Sequence, residues 1–177
     1  TNDSVTLATG PLAEGMAAER EIRLVADLPA FTVRTRVRNE GGEVLTKGLR
    51  THPMFRNGDM ADNVFVYRAG DGRFEAKPMP VLECMSADWG PTGLWAAINL
   101  RTNRGILWES PGVHNGSYVW ASPFEGGYFC VETFTEHAVL EPGASLEIEQ
   151  TFTLLRDAGS WCAEHGIALP FGKDDRD

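Results

Sequence analysis

The chain has 177 residues, 42% hydrophobic and 23% charged, enough to bury a sizeable core in one globular domain and too apolar for a disordered chain. Its net charge of −9 argues against a nucleic-acid partner, because phosphate-backbone binding draws most of its affinity from clustered Lys and Arg. No apolar run approaches the roughly 20 residues that span a bilayer, and no basic segment followed by a hydrophobic one opens the chain, so no membrane partner is expected.

In chain order the pattern predicts strands nearly everywhere. After a candidate at 21–26, residues 31–38 alternate cleanly, with Phe31, Val33, Thr35 and Val37 against Thr32, Arg34, Arg36 and Arg38, and Asn39-Glu40-Gly41-Gly42 supplies a turn. The arginine stripe reads as a solvated outer face rather than an anion site. Further strands are expected at 43–49, 63–67, 81–85, 93–100, 105–109 and 117–121, separated by turns such as Gly70-Asp71-Gly72, Gly90-Pro91 and Thr102-Asn103-Arg104-Gly105. An aromatic run follows at 126–134. After the turn Glu141-Pro142-Gly143-Ala144 comes the last long strand, with Leu146, Ile148, Phe152 and Leu154 on one face and Glu147, Glu149, Thr151 and Thr153 on the other.

Only 156–165 looks helical, with Trp161 and Cys162 as its apolar contacts and Gly166 as its stop, and the charged tail 173–177 is expected to fray. Short strands, Gly/Pro turns and one short C-terminal helix predict an all-β antiparallel sandwich, with 1–177 as a single domain or the C-terminal part of one. The chain opens at Thr1 without an initiator Met, as a processed product, an excised domain or a fragment does.

Cys84, Cys130 and Cys162 are odd in number and widely spaced, which supplies neither a disulfide framework nor a zinc signature. They read as buried free thiols, with Cys130 packed in its strand and a mild lean towards a reducing, cytoplasmic compartment.

Two segments carry candidate chemistry. In Tyr128-Phe129-Cys130-Val131-Glu132-Thr133-Phe134, period-2 alternation places Glu132 on the same face as Tyr128, Cys130 and Phe134. A carboxylate among large apolar groups needs a task or a partner, and desolvation is a common way of tuning a general base. The alternative is a structural carboxylate paired with an arginine or a backbone amide. In Arg50-Thr51-His52-Pro53-Met54-Phe55, Pro53 keeps His52 out of the helical region and ends regular pairing, so the imidazole is expected where a strand emerges into a loop.

The five tryptophans are many for this length, and an indole face stacks on a sugar ring as readily as it fills the space between two sheets. Trp108 and Trp120 flank a glycine-rich loop with His114 and Asn115, and Trp120 leads by Ser122-Pro123-Phe124 towards the Glu132 strand. The oxygen-rich run Asn57-Gly58-Asp59-Met60-Ala61-Asp62-Asn63 lacks the spacing of a calcium loop and reads as a turn, and Glu136-His137 reads as a surface pair.

The strand at 32–39, the segment Arg50-Thr51-His52-Pro53-Met54-Phe55, the run Tyr128-Phe129-Cys130-Val131-Glu132-Thr133 and Pro142-Gly143-Ala144-Ser145 together resemble the galactose mutarotase-like superfamily. Its aldose 1-epimerases carry a His-Pro-x-Phe-type segment and later a Phe-Cys-(Leu/Val)-Glu strand followed by a Pro-Gly turn. The resemblance implies a supersandwich fold over most of the chain and a monosaccharide or oligosaccharide ligand. It assigns His52 as the acid at the ring oxygen and Glu132 as the base at the carbon 1 hydroxyl. Arg50, Trp108, Trp120 and Phe134 are expected to bind the sugar, with no cofactor and no metal.

The chain departs from that family in length. Nothing here matches the family's N-terminal Asn-Arg segment and further histidine, and its sugar-gripping aspartate has at best Asp88 as a counterpart. Either a missing N-terminal portion or a partner chain supplies them, or the chain is a reduced member. The alternative is a noncatalytic carbohydrate-binding sandwich module of a larger protein, and a third reading is a purely structural sandwich.

Overall fold

The computed structural model describes residues 3–69, 71–79, 84–86, 93–111, 114–122 and 128–169, with 84–86 and 114–122 as backbone alone. Trp89, Asp88, the start of the strand expected at 81–85 and the tail 173–177 lie outside the described residues.

The strands are β1 (Ser4–Ala8), β2 (Met16–Leu24), β3 (Ala30–Asn39), β4 (Leu45–Lys47), β5 (Arg50–Thr51), β6 (Met54–Phe55), β7 (Asn63–Arg68), β8 (Phe74–Pro78), β9 (Cys84–Ser86), β10 (Leu94–Asn99), β11 (Arg104–Glu109), β12 (His114–Ser122), β13 (Tyr128–Thr135), β14 (Ala138–Leu140) and β15 (Ser145–Leu155), before helix α1 (Ala158–Glu164). An eight-stranded sheet has the order β1-β2-β3-β15-β11-β10-β7-β8, a five-stranded sheet runs β5-β13-β12-β9 with β6 also on β13, and β14 pairs with β4. Every ladder among the described residues is antiparallel.

The core lies between the two larger sheets. Phe65, Tyr67, Trp95, Ala97, Ile106, Trp108 and Phe152 from the large sheet meet Phe129 and Val131 of β13. On the opposite face of the large sheet, Val64, Val66, Ala96 and Ile98 are covered by Ala158 and Cys162 of α1. Central strands β7 and β10 are therefore buried on both faces, which is why their sequences run apolar without alternation. Helix α1 starts at Asp157, whose carboxylate accepts from the Ser160 backbone N–H at 3.0 Å, and ends before Gly166, at φ 66°. Burial pushes the Cys162 thiol up to about 11.

The arginine stripe of β3 is a paired outer face. Arg34 and Arg36 hold Glu147 of β15 at 2.6 and 2.9 Å, and hydrogen bonding from Arg34 leads the causes that keep that carboxyl below its ordinary range.

Several sequence expectations need correction. Leu154 is 51% exposed, and the inward face of β15 instead carries buried Gln150. The strand expected at 43–49 divides, because β4 pairs with β14 before the chain reaches the small sheet as β5. Strands β1, β6, β8 and β14 escape the pattern reading. β8, with Glu, Lys and a terminal Pro78, is a poor strand by composition and succeeds as an edge, where one side of the backbone needs no partner.

Candidate active site

Strands β5 and β6 are one edge strand interrupted by two residues. Thr51 stands opposite Thr133 and Arg50 opposite Phe134, while Met54 stands opposite Cys130 and Phe55 opposite Phe129. The register is continuous through the gap, so His52 falls opposite Glu132 and Pro53 opposite Val131. Pro53 brings no N–H to the ladder, and pairing lapses there and resumes one residue later, rather than ending as expected from the sequence.

This register decides which side chains meet. Period-2 alternation directs Phe129 and Val131 into the core and sets Cys130, Glu132 and Phe134 on the other face, where Arg50 and His52 also lie. The His52 Nε2 is 3.3 Å from Glu132 Oε1 and 3.1 Å from Cys130 Sγ, and Cys130 Sγ reaches the same carboxylate oxygen at 3.9 Å. The Arg50 Nε donates to Glu132 Oε2 at 2.5 Å, with the guanidinium 5.4 Å from the centre of the Phe134 ring. The carboxylate side chain is 8% exposed, whereas those of Arg50 and His52 are 57% and 47% exposed. A nearly buried carboxylate thus sits under a guanidinium and an imidazole that both face solvent, and its two oxygens are divided between them.

Behind this face the site is anchored by buried polar bonds. The Thr51 and Thr133 hydroxyls lie 2.5 Å apart, and Gln150 Nε2 of the opposing sheet donates to them at 3.2 and 3.3 Å. The Thr135 hydroxyl accepts from the Leu49 backbone N–H at 2.9 Å, closing the end of the edge strand. These contacts pin the strand just before the His52–Pro53 break, and the pairing of Met54 and Phe55 with β13 holds it after the break. Gln150 interrupts an otherwise apolar alternation, and that is the one mark of this network in the sequence.

The structure brings together His52, Glu132, Arg50 and Phe134 and adds Cys130, which sequence reading treated as packing alone. Arg50 also meets the alternative reading of Glu132, a carboxylate paired with an arginine. Trp108 is corrected: it is fully buried, stacked 5.9 Å from Trp95 and 5.8 Å from Phe55, and so spends its faces on the core instead of a ligand. Trp120 holds the register position opposite Cys130, and its side chain lies outside the described residues.

The Asn57–Asn63 region is a closed turn. The Asn57 carbonyl accepts from Asn63 Nδ2 at 3.0 Å and Asn99 Nδ2 at 2.8 Å, and Asp59 caps the turn through the Ala61 N–H at 3.1 Å. His137 is exposed, with its ring beside Gly48.

No protein-family model and no curated protein matches the chain. Solved structures do match it in fold. A candidate aldose 1-epimerase from Escherichia coli K12 superposes with a TM-score of 0.66 at 17% identity, over 87% of this chain and 66% of that one. A galactose mutarotase related enzyme from Lactobacillus acidophilus has a TM-score of 0.62 at 12% identity, over 89% and 69%. A GH36 α-galactosidase from Geobacillus stearothermophilus, solved with 1-deoxygalactonojirimycin, has a TM-score of 0.60 at 14% identity, over 87% of this chain and 24% of that enzyme. The chain is thus shorter than each of them and spans 66% of the first. Its sheet order, its core and these superpositions agree on one architecture: the chain has the galactose mutarotase-like fold.

Proposed function

We propose that the chain acts on a carbohydrate, opening and reclosing the ring of an aldose with His52 as proton donor and Glu132 as proton acceptor. The observation that carries this reading is the meeting of imidazole and carboxylate, 3.3 Å apart, on one sheet face of a mutarotase-like fold. The reaction moves protons between two oxygens that are both bonded to carbon 1, so acid and base have to be neighbours. The imidazolium gives its Nε2 proton to the ring oxygen while Glu132 Oε1 takes the proton of the carbon 1 hydroxyl. The bond from carbon 1 to the ring oxygen breaks, a carbonyl forms, and rotation followed by the reverse transfers closes either anomer. Positioning and proton transfer together supply the rate.

In the structure the imidazole rests directly on the carboxylate, and a sugar takes the place of that contact by reaching a hydrogen bond's length to each. The half-exposed His52 has room to swing outward, and Arg50 keeps hold of the other carboxylate oxygen. Fresh solutions of single anomers of common aldoses, followed by polarimetry or by the anomeric proton signals, test this reading. Acceleration lost in Glu132→Gln and His52→Asn supports it, and no acceleration with any aldose sinks it.

A second reading is a noncatalytic carbohydrate-binding module, favoured by the GH36 α-galactosidases, in which the matching portion is about a quarter of a longer chain and one of which was solved with raffinose. Saturable sugar binding without acceleration, insensitive to Glu132→Gln, selects it. On either reading we expect Phe134, which lies beside the Arg50 guanidinium, to border the ligand, with Trp120, whose backbone pairs with Cys130, as the second candidate.

A further inference from the structure

We infer that His52, Cys130 and Glu132 form a binding site for a borderline-soft divalent cation of the zinc class. Their Nε2, Sγ and Oε1 atoms all lie within 4.8 Å of one another, and among the described residues this is the one group of three or more His, Cys, Asp or Glu side chains so gathered. The separations are 3.1 Å for nitrogen to sulfur, 3.3 Å for nitrogen to oxygen and 3.9 Å for sulfur to oxygen. With ordinary zinc bonds to imidazole, thiolate and carboxylate, tetrahedral angles put such donors about 3.3–3.6 Å apart. The three atoms already stand within about half an ångström of the edges of a zinc coordination tetrahedron.

The donor set and its surroundings select the cation. Thiolate and imidazole favour zinc over calcium or magnesium, which take oxygen ligands. Cys130 is fully buried and Glu132 nearly so, while His52 is half exposed, so the fourth position opens on the solvent side as in a three-ligand zinc site. Arg50 bonds Oε2 and leaves Oε1 to the metal, orienting the carboxylate as outer-shell partners commonly do. Binding converts the Cys130 thiol to a metal thiolate and releases its proton to solvent.

The strand geometry explains why no sequence spacing announced the site. Cys130 and Glu132 share a face because they are two apart on β13, and the third ligand arrives from an edge strand 78 residues earlier in the chain. The cation and the proton transfer of the sugar reading compete for one site, so the failure of either leaves the other standing. A bound cation occupies the His52 nitrogen and the Glu132 oxygen assigned there to proton transfer, and its binding is measured without any activity.

The test uses the whole chain, stripped with a chelator and kept reduced with a phosphine. Titration with Co2+ should give one equivalent of bound metal, with a thiolate-to-cobalt charge-transfer band in the near ultraviolet and the intense visible bands of tetrahedral cobalt. Zn2+ should bleach both. Competition with a chromophoric chelator should show zinc affinity falling at least about 100-fold in Cys130→Ser and in the surface variant His52→Ala, each checked for folding by circular dichroism. Cys162→Ala, altered in the separate core under α1, should bind as the parent does. Should Cys130→Ser fail to fold, His52→Ala decides. A pale octahedral cobalt spectrum without charge transfer, binding undiminished in His52→Ala, or binding lost in Cys162→Ala overturns the assignment.

Discussion

His52 meets Glu132 across the edge of the five-stranded sheet, imidazole Nε2 to carboxylate Oε1 at 3.3 Å, at the point where Pro53 removes a donor from the ladder. The same residue that breaks the strand frees the backbone around the imidazole, while Thr51 on one side and Met54 on the other keep the register. If this pair is the acid and base of a ring-opening reaction, replacing either leaves the frame and removes the chemistry. We expect Glu132→Gln and His52→Asn each to slow anomer equilibration by about two to four orders of magnitude, as loss of a general base or acid commonly does. Unchanged circular dichroism with unchanged rates in both would dismiss the assignment.

Arg50 gives a separable test, because its bond to a nearly buried carboxylate is a matter of stability as well as of function. Arg50→Ala leaves Glu132 short of a partner and should destabilise the fold by about 1–3 kcal/mol, towards the lower end because the guanidinium side is open to water. In a Glu132→Gln background the same substitution should cost much less, a coupling that urea titrations of the four proteins in the double-mutant cycle would measure.

Trp108 is expected to behave as core. Trp108→Ala should cost about 3–5 kcal/mol through the cavity it opens. Trp108→Phe should cost far less than the lost area suggests, since the buried indole Nε1 has no hydrogen-bond partner among the described residues and phenylalanine removes that donor. Sugar affinity of the folded Trp108→Phe protein should equal that of the parent. A specific loss of affinity at unchanged stability would return the residue to the ligand.

Gln150 ties the two sheets together behind the site. Gln150→Ala removes its bonds to both threonine hydroxyls and leaves a void, and should destabilise by about 1–3 kcal/mol. Thr51→Val should lower the midpoint of urea unfolding in the parent but much less in the Gln150→Ala protein, because the two share one network.

Glu147 sets an acid limit. Its carboxyl lies below the ordinary 4.5 in the folded state, chiefly through the Arg34 hydrogen bond, so its contribution is fully present above that value. As pH falls below about 4.5 the unfolded chain takes up the proton first, and the contribution is lost on the way down to the lower folded pKa. Urea midpoints across pH 3 to 6, taken as roughly the carboxylate range, should fall more steeply on acidification for the parent than for Glu147→Gln. Parallel curves would remove Glu147 from the acid sensitivity.

Local pattern alone determined much of this protein. Alternation in 31–38 marked β3 and its arginine face, Gly166 marked the end of α1, and the spacing of Cys130, Glu132 and Phe134 put them on one side of β13, because side-chain direction along a strand follows from neighbouring residues only. Tertiary structure decided which of those faces meet. The same alternation cannot say that His52 lands opposite Glu132, that Arg50 takes one carboxylate oxygen, or that Cys130 faces an imidazole, since a strand register is set by pairing with a distant segment and by the core that Phe129 and Val131 bury on the far side. Nor can a tryptophan's sequence context say whether both its faces are covered. Trp108 is core because β10 and β15 flank it and Phe55 caps it from the edge strand, contacts that exist only once the sheets have closed on each other.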